Sequence, residues 1–131
     1  MSLAVRRTLI ALFVLGLALT LWFGLLSALT MPAKPVLYIR NDHLLHVCAF
    51  SFLALVGLML WAPMAALMTA LVAGAGLLEV VQRFVPQHQM SLMDWGASSS
   101  GVALGAILFL LVRAVLEARK IVSTHVWRNE S

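Results

Sequence analysis

Four long apolar runs divide the chain, at about 8–29, 44–61, 64–84 and 95–112. A helical membrane span needs about 20 mostly apolar residues, and each run comes close to that length. The first is uncharged throughout. The third is interrupted only near its end, by Glu79, Gln82 and Arg83. An open strand in hydrocarbon leaves backbone N–H and C=O groups unpaired, so all the spans are read as helices. The expected fold is therefore all-α: a polytopic membrane protein with four transmembrane helices in a compact bundle, as a single domain over residues 1–131. The second and third runs are separated by a very short turn around Ala62 and Pro63, which predicts a tight antiparallel hairpin. The tail at 113–131 carries Arg113, Glu117, Arg119, Lys120, Arg128 and Glu130 and is expected to prolong the fourth helix into water. No internal repeat or low-complexity linker is visible.

The composition sharpens this picture. Apolar residues make up 63% of the chain and its mean hydropathy is +1.01. Soluble domains average roughly 45–50% apolar, and so short a chain has no core large enough to hide the excess. The formal charge of +4 does not imply nucleic acid, because the basic residues flank apolar runs, as orientation signals do. Counting them places both termini on the cytoplasmic side. Arg6, Arg7, Arg113, Arg119, Lys120 and Arg128 fall on that side, against Lys34, Arg40 and Arg83 on the other. The first run exceeds a signal-peptide core of about 7–15 residues. The following SALTMPA offers no clean small-x-small cleavage site, so an uncleaved helix is expected. Cys48 is the sole cysteine, which excludes an internal disulfide.

With this topology the scarce polar residues gather at one end. The second helix begins there with NDHLLH, the third ends there with EVVQ, and the fourth starts there with SLMDWG. Asp42, Glu79 and Asp94, with His43, His46 and His88, therefore share the extracytoplasmic end. Glu79 and Gln82 lie one turn apart on one helix face, as do Asp42 and His46. Glu79 is placed nearly two turns inside the helix, where an ionisable group normally faces the bundle or a wet cavity. Pro86 is expected to stop that helix.

Simpler roles are available to each residue. Ser91 and Asp94 form a capping-box-like pair at the start of the fourth helix, with Asp94 near the positive end of the helix dipole. Asn41 or Asp42 is suited to cap the second helix. His46 suits a packed, hydrogen-bonded role, and Glu79 suits a bond to His46 or Gln82. His43, His46, His88, Glu79 and Asp94 are metal-ligand types, yet no H-E-x-x-H pattern or Cys/His spacing is present, so no metal and no cofactor is expected. Ser91 lacks the G-x-S-x-G setting of a nucleophile. The run Ser98–Ser100 reads as small packing residues. Ala97, Gly101 and Gly105 form a small-xxx-small ladder that allows close helix approach, and Gly74 and Gly76 suggest the same on the third helix.

The spaced set Glu79, Gln82, Pro86, His88, Ser91 and Asp94, followed by Ser98, Gly101 and Gly105, resembles the signature of the VanZ-like family. That family carries Glu, Gln, Pro, Arg, Ser, Asp, Asn, Gly and Gly at these spacings. Its second motif, Asp-Lys-x-x-His with an aromatic beyond, resembles Asp42, His43 and His46 with Phe50. The resemblance covers about residues 42–105, nearly half the chain. It departs at three positions: Lys is His43, Arg is His88 and Asn is Ser98. Two permanent cations are thus replaced by side chains that are mostly neutral at pH 7.

The resemblance implies a small integral protein of the bacterial inner membrane, related to an accessory protein of teicoplanin resistance. The biochemical activity of that family is not established. An outer polar pocket of Asp42, His43, His46, Glu79, Gln82, His88, Ser91 and Asp94 is expected to bind a polar or lipid-linked envelope head group. Its partners are then the lipid bilayer and a lipid-linked envelope precursor. Two other readings are a small accessory subunit docked on a larger membrane protein complex, and an enzyme acting on a lipid-linked substrate with Glu79 or Asp94 as base.

Overall fold

A computed structural model describes residues 1–30, 41–60, 63–84 and 91–129, with side chains outside that description at 26–30, 41–42 and 121–129. Four helices follow in order: α1 (Leu3–Thr30), α2 (Asn41–Leu60), α3 (Met64–Gln82) and α4 (Leu92–Asn129). The all-α fold read from the apolar runs is the fold observed. All four helices are long and apolar enough to cross a membrane, with mean hydropathies of 2.0–2.3 over Leu3–Leu25, His43–Leu60, Met64–Gln82 and Leu92–Lys120. The protein is a multi-pass membrane protein.

The helix ends differ from the apolar runs in informative ways. A helix does not stop where hydropathy falls, so α1 takes in Arg6 and Arg7 and begins at Leu3. Its first turn is capped by Ser2, whose Oγ accepts the Val5 N–H at 3.3 Å. Helix α4 begins at Leu92, three residues before its apolar run, and continues to Asn129 through the charged tail. Helix α3 ends at Gln82, short of the expected Phe84, and a turn through Arg83 and Phe84 follows. Glu79 therefore lies one turn from the helix end, not two. Pro86 lies outside the described residues. Helix α3 starts behind Pro63, whose extended backbone (φ −92°, ψ 148°) turns the chain after α2. The expected α2–α3 hairpin is present.

The core is centred on α2. Phe50, Leu53, Ala54, Leu71, Ala75 and Val102 form one buried cluster, with Phe13 of α1 packed against it. The tightest seam joins α2 to α4, which run parallel as alternate spans of an up-down bundle. A Cβ on Gly101 would fall 2.5 Å from the Val47 carbonyl oxygen, and one on Gly105 would meet the Ser51 carbonyl. No side chain fits at either place, so the small-residue ladder acts on α2 as backbone-to-backbone contact. The glycines of α3 divide. A Cβ on Gly76 would lie 3.3 Å from Nε1 of Trp95, whereas Gly74 has nothing within 4 Å and corrects the expectation of a packing role there.

Candidate functional site

The seam that brings two backbones together also aligns their polar residues. Along it, His43 faces Asp94, His46 faces Ser98, Val47 faces Gly101 and Ser51 faces Gly105. Parallel helices in contact hold a nearly constant sequence offset, so the glycines fix which polar groups meet. His43 Nε2 stands 2.8 Å from Asp94 Oδ1, a close approach that is not aligned as a hydrogen bond. One turn on, His46 Nδ1 lies 2.9 Å from Ser98 Oγ. The His46 ring also stacks along its own helix on Phe50, with the planes 7° apart.

Helix α3 completes the site. Glu79, 3% exposed, extends a carboxylate to the start of α4, where Oε2 accepts the backbone N–H of Ser91 at 3.1 Å. The Ser91 hydroxyl in turn accepts the Asp94 N–H at 3.2 Å. In a capping box, the acidic side chain at the third helical position returns to the N–H of the capping residue. Here Ser91 plays its half, but Glu79 of the neighbouring helix takes the acid's half. Asp94 is thereby released from the expected capping role and turns to His43. The hydrogen bond from the Ser91 N–H to Glu79 ties the end of α3 to the start of α4.

Gln82, one turn beyond Glu79 and 1% exposed, donates from Nε2 to the Gly24 carbonyl of α1. Its Oε1 is buried with no hydrogen-bond partner among the described residues. Trp95 Nε1 donates to the Val72 carbonyl at 3.1 Å, pinning α4 to α3 a further turn into the bundle.

The result is a cluster assembled from three helices. Ligating atoms of His46, Glu79 and Asp94 all lie within 4.8 Å of one another. Both carboxylates are buried. On insertion scales an acidic side chain at a helix centre costs roughly 2.5–3.5 kcal/mol. Lying near helix ends reduces that cost, and the polar neighbours offset more of it. An apolar groove between α1 and α2 opens beside the cluster. It has a volume of about 390 Å³ and is lined by Leu12, Leu19, Phe23, Cys48 and Phe52, with His46 toward the polar end.

Of the expected pocket residues, His43, His46, Glu79, Gln82, Ser91 and Asp94 gather at this one end of the bundle. The Asp42 side chain and His88 lie outside the described residues. Glu79 bonds to Ser91, which was not among its expected partners. Ser98 departs from its reading as a packing residue: it is 1% exposed and holds His46. The signal for it was its place one turn after Asp94 on the same helix face. Ser100, in the same run, only bonds back to the Gly96 carbonyl of its own helix at 2.8 Å.

No protein-family model matches the chain, and it has no match among curated proteins or solved structures.

Proposed function

We propose that this is a VanZ-like protein of the bacterial inner membrane, with both termini cytoplasmic. Its outward-facing polar cluster binds the polar head group of an envelope lipid or lipid-linked precursor, and through it modulates resistance to envelope stress such as glycopeptides. The observation that carries the reading is the convergence of His46, Glu79 and Asp94 from three separate helices beside an apolar groove. Buried ionisable groups in a membrane bundle are costly, and they commonly mark a substrate or ion path. A groove lined by Leu12, Leu19 and Phe23 suits an acyl or isoprenoid tail, with the head group at His46 and the carboxylates beyond it.

The residues behind the family resemblance also sort themselves in space. Glu79, Gln82, Ser91, Asp94, Ser98 and His46 are in or beside the cluster, while Gly101 and Gly105 build the seam that aligns it. With His43 in place of the family's Lys, the pocket has no permanent cation at that position, which favours a head group with hydrogen-bond donors or positive charge of its own.

The test is a survival assay at matched expression. A deletion strain complemented with wild type is expected to regain resistance to glycopeptides or related envelope stresses. Complementation with Glu79→Gln or Asp94→Asn, each still present in the membrane, is expected to fail. Equal complementation by all of them would overturn the reading and leave the cluster a structural clasp.

A further inference from the structure

Three residues of different helices meet at the polar end, and each touches a group outside the trio. Glu79 accepts the Ser91 N–H at 3.1 Å, His46 is hydrogen-bonded to Ser98 at 2.9 Å, and Asp94 is approached by His43 at 2.8 Å. This is the pattern of metal sites, in which a second shell fixes the tautomer and orientation of each ligand. We propose that His46, Glu79 and Asp94 form a binding site for one divalent first-row transition-metal ion of the zinc class.

The donor set fits. One imidazole and two carboxylates suit zinc, whose catalytic-type sites take three protein ligands and keep a fourth position open. Calcium would require six to eight oxygens, more than the trio supplies. Ser98 engages Nδ1 of His46, so a metal held while that contact persists would bind through Nε2. A carboxylate offers about four lone-pair sites, so a hydrogen-bonded Glu79 can also ligate a metal. Metal–ligand lengths of about 2.0–2.2 Å put ligand atoms about 3.3–3.5 Å apart in a tetrahedral site. The present separations of up to 4.8 Å therefore need only a small side-chain closure.

Sequence spacing gives no hint of the site because no two ligands share a helix. The site stands on this geometry alone and does not require that a head group binds. If both readings hold, the open position of the metal is where an oxygen of the head group would attach.

The experiment uses the full chain in phosphatidylcholine nanodiscs, stripped with a chelator and titrated with Zn2+ alone by calorimetry, with bound metal counted by mass spectrometry. One ion per chain is expected. Glu79→Gln, Asp94→Asn and His46→Gln are each expected to lose stoichiometric binding, and Ser98→Ala to weaken it by about tenfold. Wild-type protein loaded with Co2+ should show the intense visible bands of a four- or five-coordinate site, a readout that needs no variant to fold. Absence of stoichiometric binding, binding that survives all three ligand substitutions, or a weak six-coordinate Co2+ spectrum would overturn the proposal. None of these outcomes bears on the survival assay, so the two readings fail separately.

Discussion

Helix α1 and the α2–α4 seam are built from similarly apolar sequence and put to opposite uses. The α1 window has the highest mean hydropathy of the four, 2.3, yet Leu9 is its one buried hydrophobic residue among those described. Trp22, Val14 and Leu15 are 63%, 58% and 55% exposed. In the core and along the seam, Leu53, Ala54, Ser98 and Val102 are all at 1% exposure or less. Lipid tails are as apolar as leucine, so hydrophobicity gives a helix no preference for protein over bilayer. Close packing and polar contacts decide instead. The seam has Gly101, Gly105 and two histidine contacts. Helix α1 has Gly16 against the Phe52 ring, Gly24 against Leu78 and Gln82, and Phe13 against the core, and leaves most of its other described side chains exposed.

This contrast can be broken at its strongest point. Gly105→Leu would drive a side chain into the Ser51 backbone, which cannot yield. We expect a loss of roughly 3 kcal/mol or more, at or above the usual cost of overpacking, read as loss of folded protein in a reversible unfolding titration in bicelles. The comparison is sharpened by making one chemical change on its two sides. Leu53→Ala opens a hole in the core cluster and is expected to cost about 2–4 kcal/mol in the same titration. Leu15→Ala, on the exposed face of α1, should fall within about 0.5 kcal/mol of wild type. Equal losses at the two leucines would show that α1 is packed as tightly as the seam and would void the distinction.

Most of the fold was legible from the chain. Each apolar run is near the length of a span, and a backbone in hydrocarbon has few alternatives to a helix. The presence of a polar end was also legible, because Glu79, Gln82 and Asp94 stand out in apolar surroundings. The partners of those residues were not. Ser91 and Asp94 have the spacing of a self-contained capping box, and nothing local announces that Glu79, twelve residues earlier, closes it instead. Ser98 sits in a run of small residues, and its bond to His46 depends on the register of two helices 52 residues apart in sequence. That register is set by Gly101 and Gly105, which were legible as packing residues without any indication of which helix they approach. Gly74 and Gly76 are near neighbours in one run, and only the fold shows that one of them meets a tryptophan and the other open space.

The borrowed cap on α4 has a consequence for biogenesis. The chain emerges in order, so α2 and α3 are made before Ser91, Asp94 and Ser98 exist to receive their polar side chains. Until the last helix inserts, the Ser98 contact of His46 and the Ser91 contact of Glu79 cannot form. Arrival of α4 makes both in one step, and fastens its first turn to Glu79 as the glycine seam closes. The final helix therefore works as a latch. A chain that stops short of α4 has the polar residues of α2 and α3 but neither the cap nor the seam that α4 brings to them.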